Sequence, residues 1–171
     1  VNLELVPGIG GGICQVSSTL FHAALLAGMD VVERHCHSRP VAYIPLGLDA
    51  TVAYDYLDLK LTHRGISPLL VVAGTREDRL EVAVLGKSWT PEKIHLETVE
   101  REEILPPVEY IFDPTLPPGE VLEEEPGAPG YRVRVERVVT LEEREIGRET
   151  VSESFYLPRP RVLRRGPVPG N

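Results

Sequence analysis

Cys14 follows Gly10, Gly11 and Gly12 and opens a segment whose apolar spacing predicts a helix over 13–27. A thiol in the first turn of a helix meets unpaired backbone N–H groups and the positive end of the helix dipole, and both favour the thiolate. Downstream, His35 and His37 flank the end of one predicted strand, and Asp49 opens another. An imidazole can deprotonate a thiol, and a carboxylate can hold that imidazole in the required tautomer. The chemistry this order suits is acyl transfer or amide hydrolysis, as in a cysteine hydrolase or transpeptidase. Cys14 would be the nucleophile, His37 or His35 the base and Asp49 the orienting carboxylate, with Gly11, Gly12 and Gln15 on the substrate side.

The same residues admit other readings. A buried free cysteine is often a small hydrophobe and a histidine at a strand end often caps local backbone, which leaves a non-catalytic binding protein. Cys14, His35 and His37 could instead ligate zinc in a metal-stabilised scaffold, since alternate residues of a strand face the same way. That set lacks an evident further ligand, and no other cofactor is expected. A Cys14–Cys36 disulfide is a further alternative.

These groups must be positioned by the elements around them. Ile13, Val16, Leu20, Ala24 and Ala27 recur at three- and four-residue intervals and predict the buried face of the helix, which Gly28 would end. Beyond it, short apolar runs predict strands over 31–34, 41–44, 50–54, 57–61, 69–73 and 80–85. The expected fold class is therefore α+β, one N-terminal helix packed on an antiparallel sheet, followed by an elongated all-β module. Strands are predicted in that module over 108–112, 131–140, 144–154 and 161–165, with too few large apolar residues for a thick core. Residues 131–136 alternate cleanly, as a sheet with one wet face requires. A dense Pro/Gly zone over 106–130 separates the two patterns, so the expected domains are 1–100 and 101–171.

Composition narrows the function classes. The formal charge of -8 and pI near 5.2 leave no basic stripe for a phosphate backbone or an anionic membrane surface. Acidic runs over 97–103 and 120–125 read as solvated faces. The best apolar run, 16–27, carries Ser17, Ser18, Thr19 and His22, so no membrane insertion by this chain is expected. Residues 8–12 lack the Lys-Ser/Thr continuation of a phosphate-binding loop. Trp89, Tyr54 and Tyr56 read as core or rim residues. The start at Val1, with no charged-then-apolar leader, reads as an excised piece.

Residues 6–21, VPGIGGGICQVSSTLF, closely resemble the signature of VanW-like proteins, named after an accessory member of a vancomycin-resistance cluster. The likeness continues through Glu33-Arg34-His35, His37-Ser38, Pro40-Val41, Tyr43-Ile44-Pro45, Gly47, Asp49-Ala50-Thr51-Val52 and Asp58-Leu59-Lys60. The family usually has a proline where Cys36 stands, and sequence ahead of this motif, so the resemblance implies a domain incomplete at its N-terminus. From residue 101 onward the chain resembles the G-five (G5) module of bacterial surface proteins. The matching pieces are Asp113-Pro114, Leu116-Pro117-Pro118-Gly119, Gly127, Pro129-Gly130, Arg148-Glu149, Ser152-Glu153 and Gly166. Glu142-Glu143 departs from the module's tight Asp-Gly-like turn, so a longer or shifted hairpin is expected there. The two resemblances imply an exported protein at the cell wall, extracellular, with peptidoglycan or an amino-sugar polymer as partner. The VanW-like family carries no activity over to this chain.

Overall fold

The computed structural model describes residues 11–87 and 91–168, so Gly8 to Gly10 and Trp89 of the sequence reading lie outside the described residues. Helix α1 (Ile13–Leu26) starts at Gly12, whose carbonyl accepts the Gln15 and Val16 N–H groups. It ends as expected at Gly28, which takes φ +74°. Gly28 N–H reaches Leu25 O and Met29 N–H reaches Ala24 O, the pair of bonds that closes a helix when the next residue enters the left-handed region.

The buried face of α1 differs from the predicted stripe. Ser17, Ser18, Phe21, Ala24 and Leu25 are buried, whereas Ile13 is 57% and Val16 45% exposed. Hydrophobic periodicity misplaced the face because two of its buried positions are serines, and burying a hydroxyl is tolerated only when it is hydrogen-bonded. Both serines are, as shown below.

Strand β1 (Asp30–Glu33) pairs antiparallel with β2 (Lys60–Thr62), and β3 (Leu70–Arg76) forms a hairpin with β4 (Arg79–Leu85). The runs over 41–44 and 50–54 are not strands, and the run over 57–61 yields only β2. Pro40 and Pro45 supply no N–H to a ladder, and Gly47 turns the chain at φ +85°. The first half thus holds two separate two-stranded ribbons instead of one sheet beneath a helix.

In the second half, β5 (Lys93–Ile104), β8 (Gly130–Leu141) and β9 (Arg144–Tyr156) form an antiparallel sheet in the order β5-β8-β9. A second sheet comprises β6 (Val108–Phe112), β7 (Val121–Glu125) and β10 (Arg161–Arg165), with β10 central, parallel to β6 and antiparallel to β7. Strand β5 was not anticipated, and the expected divide between residues 100 and 101 falls inside it. Its acidic run is an outer strand face where Glu100 and Glu102 pair with Arg134 and Arg132 of β8. The β8–β9 turn is also a correction. Leu141 pairs with Arg144, so the loop is two residues long, and Glu142 and Glu143 both take positive φ, 50° and 65°. The tight turn survives without its preferred residues, because the long flanking ladder holds the register.

The core joins the halves. Phe21 and Leu25 of α1, with Leu48 and Ala50, form one buried cluster with Val133 and Val135 of β8 and Tyr156 of β9. Burying side chains of this size contributes about 1.5–3 kcal/mol each. Among the described residues no helix is long and apolar enough to cross a membrane.

Candidate thiol site at the seam of the two halves

Residues 47–50 are buried without belonging to a strand, so their backbone polar groups need partners other than a ladder. Side chains supply them. Gly47 N–H donates to the Tyr156 hydroxyl at 2.7 Å and Gly47 O accepts from Ser152 Oγ at 2.6 Å. Asp49 O accepts from Arg34 Nε at 2.6 Å. Ala50 N–H donates to Ser18 Oγ at 2.9 Å, and Ala50 O accepts from Ser17 Oγ at 2.6 Å. The glycine at 47 is required twice over, by its positive φ and because a Cβ there would come within 2.7 Å of Val135 Cγ2.

This loop delivers Asp49, 1% exposed, to the centre of a four-donor cage. Its Oδ1 accepts from the Tyr156 hydroxyl at 2.5 Å and from Arg34 Nη2 at 3.0 Å. Its Oδ2 accepts from the His37 backbone N–H at 2.7 Å and lies 2.6 Å from His37 Nδ1. Burial alone would raise the Asp49 carboxyl, but bonds from the His37 ring, the His37 backbone and Tyr156, with the Arg34 charge, outweigh it and hold the group below its ordinary value. An ionised carboxylate only accepts, which assigns a ring proton to Nδ1 and leaves Nε2 on the side of the ring away from Asp49.

Nε2 of His37 lies 3.4 Å from the Tyr43 hydroxyl, with the two rings edge to face. Tyr43 also responds to the groups around it. Its phenol is raised by burial, opposed by the Ser18 hydroxyl, and raised further by Cys14 and Asp49. Cys14, half-buried, donates from Sγ to Val52 O at 3.6 Å. Among the described residues no hydrogen bond joins that thiol to the imidazole.

His37 and His35 part company. His35 Nε2 lies 3.2 Å from Glu33 Oε1, which belongs to the pair Glu33–Lys60 at the sheet edge. Strand β1 ends at Glu33, so the alternation that would have aligned the two imidazoles does not extend to them. The zinc set is accordingly not gathered, and no group of three His, Cys, Asp or Glu side chains among the described residues is arranged to hold a metal. Cys14 and Cys36 are both free, Cys36 Sγ facing Phe155 O at 3.7 Å. Gly11 and Gly12 are exposed beside the thiol, and the space a Gly12 side chain would fill is open. Gln15 is half-buried one residue beyond, its carbonyl accepting from Thr19 Oγ1.

Sequence reasoning missed Arg34, Tyr43, Ser17, Ser18, Ser152 and Tyr156. One signal was present: Ser152 and Ser154 are polar at alternate positions of the strand predicted over 144–154, Tyr156 continues the alternation two residues beyond it, and all three are buried. Inward polar residues at that period need something polar to face, and here it is the 47–50 loop.

Comparison with known proteins matches both resemblances read from the sequence. Residues 1–85 match the family model of VanW like protein and residues 95–168 that of the G5 domain. Over 70 residues the chain is 49% identical to the uncharacterized protein YoaR of Bacillus subtilis (strain 168), covering 41% of this chain and 23% of that protein. Over 119 residues it is 29% identical to an immunoglobulin A1 protease of Streptococcus sanguinis, covering 70% of this chain and 6% of the protease. A solved IgA1 protease G5 domain, 27% identical, covers 48% of this chain and 99% of its own, with a TM-score of 0.36. The chain thus spans under a quarter of the length of either curated relative. It carries a VanW-like domain followed by a G5 domain.

Proposed function

We propose that this is an exported cell-wall-associated protein acting at peptidoglycan, in which the G5 half attaches to amino-sugar polymer and the VanW-like half holds a Cys14/His37/Asp49 thiol centre. The pairing of a VanW-like domain with a G5 domain supports the location. The observation that carries the chemistry is the 2.6 Å contact of Asp49 Oδ2 with His37 Nδ1, which leaves Nε2, on the side of Tyr43, to serve as the base.

In the reaction, Nε2 takes the thiol proton and Sγ attacks a peptide carbonyl of a wall stem peptide. The amine leaves with the proton returned by the imidazolium, and the thioester is released to water or to a second amine. A movement of Tyr43 off Nε2 precedes the proton transfer. Gly11 and Gly12 leave room for the acyl group, and Gln15 flanks the thiol.

The test is incubation of the full chain with purified peptidoglycan. The reading expects a changed muropeptide profile that Cys14→Ala abolishes while wall binding is retained. A second reading, a non-catalytic wall binder, is favoured by the thiol's bond to Val52 O. It expects binding with an unchanged profile from the native chain.

A further inference from the structure

We infer that Tyr156, contributed by the G5 half, is a positioning residue of the thiol site, setting through Asp49 the charge and orientation of His37. Its phenol is 1% exposed and fully committed. It accepts the Gly47 N–H at 2.7 Å and donates to Asp49 Oδ1, the shorter of these two contacts at 2.5 Å. A carboxylate turns easily about its terminal torsion, whose minima are broad. With Oδ1 engaged by Tyr156 and Arg34, Oδ2 is directed at the His37 ring and backbone.

Arg34 depends on the same strand, since its Nη1 donates to Ser154 Oγ at 2.8 Å and to Glu153 O at 3.4 Å. Strand β9 is therefore a wall of the site, and the VanW-like half does not complete it alone. Burial, and next the bond to Asp49, push the Tyr156 phenol up to about 12, so it remains a donor throughout the neutral range. Each donor on Oδ1 draws charge from the carboxylate. Losing one makes Oδ2 a stronger acceptor for His37, and strengthening one makes it weaker.

The inference rests on His37 serving as the base of the proposed thiol centre, but the Tyr156–Asp49–His37 chain can be measured separately from the chemistry. In the full chain with 15N-labelled histidine, the His37 Nδ1–H resonance is followed in Tyr156→Phe and in protein carrying 3-fluorotyrosine, a stronger donor, at position 156. The expected result is a downfield shift in Tyr156→Phe and an upfield shift with the fluorinated residue. Cys14 alkylation by iodoacetamide should follow, faster by about fivefold in the first and slower in the second. A residue that merely fills space gives no shift with the fluorinated ring. Unmoved His37 signals, or shifts of the same sign in both proteins, would overturn the inference, and the fluorinated protein decides alone if Tyr156→Phe does not fold. Opposite His37 shifts with alkylation unchanged would uphold the coupling and count against the thiol centre instead.

Discussion

The two halves bury backbone by opposite means. In the G5 half, the strands of each sheet bond one another, β5 and β9 to β8 and β6 and β7 to β10, so the edge strand β6 can lie exposed along its whole length and still take its ladder from β10. In the VanW-like half, the most buried segment has no ladder, and its polar groups are answered by Ser17, Ser18 and Arg34 on one side and by Ser152 and Tyr156 of the other half. A sheet is self-sufficient in hydrogen bonds, whereas a buried loop borrows them. The candidate site groups lie on the borrowed side, and its stability is tied to a neighbour that does not need it to the same degree.

The largest expected effect comes from the centre of the loop. Asp49→Ala takes the carboxylate acceptor from Arg34 Nη2, the Tyr156 hydroxyl and the His37 N–H and leaves the Arg34 charge without its counter-ion, and should cost about 3–5 kcal/mol in urea unfolding. If the halves share one core, circular dichroism should report loss of sheet and helix in a single transition. Two separated transitions would break the comparison.

Acid should act at the same place. The Asp49 carboxyl is held low in the folded chain, so the unfolded chain binds more protons below its own value of about 3.9. The contribution of Asp49 is therefore complete above that pH and is lost as pH falls through the lower folded value. Urea midpoints measured downward from pH 6 should fall below pH ~4, and less steeply in Asp49→Asn. Equal slopes would mean that the acid sensitivity lies in the other depressed carboxyls, of which Asp113 in the G5 half is the most buried.

A smaller loss is expected from Ser18→Ala, which leaves the buried Ala50 N–H unpaired and should cost about 1–3 kcal/mol. The smallest effect belongs to the self-sufficient half and has the opposite sign. Replacing Glu142-Glu143 by Asn-Gly relieves two left-handed residues and should raise stability by about 1 kcal/mol, a rise of about 2–4 °C in Tm for a chain of this size. Calorimetry would detect it.

This contrast also explains what was legible. Helix α1, its Gly28 terminus and the strands β8 and β9 follow from periodicity, because those elements satisfy their own backbone. The 41–54 region was misread as strands because Ile44, Leu46, Leu48 and Ala50 pack against a partner half that no local pattern reveals. Of the candidate site, the chain order Cys14, His37, Asp49 could be written down, but the choice between His35 and His37 could not. It turns on where β1 stops, one residue before Arg34 leaves the sheet to reach Asp49. Tyr156 was out of reach for the same reason, lying 107 residues from the carboxylate it holds.

The central claim is that the Cys14 thiol and the His37 imidazole work as one site. The direct measurement is the rate of Cys14 alkylation by iodoacetamide at neutral pH, in a Cys36→Ser background that leaves a single thiol, set against a free-thiol standard and against His37→Ala. The account predicts a rate above the standard that falls to it or lower when His37 is removed. A thiol no faster than the standard, or one indifferent to His37→Ala, would contradict it.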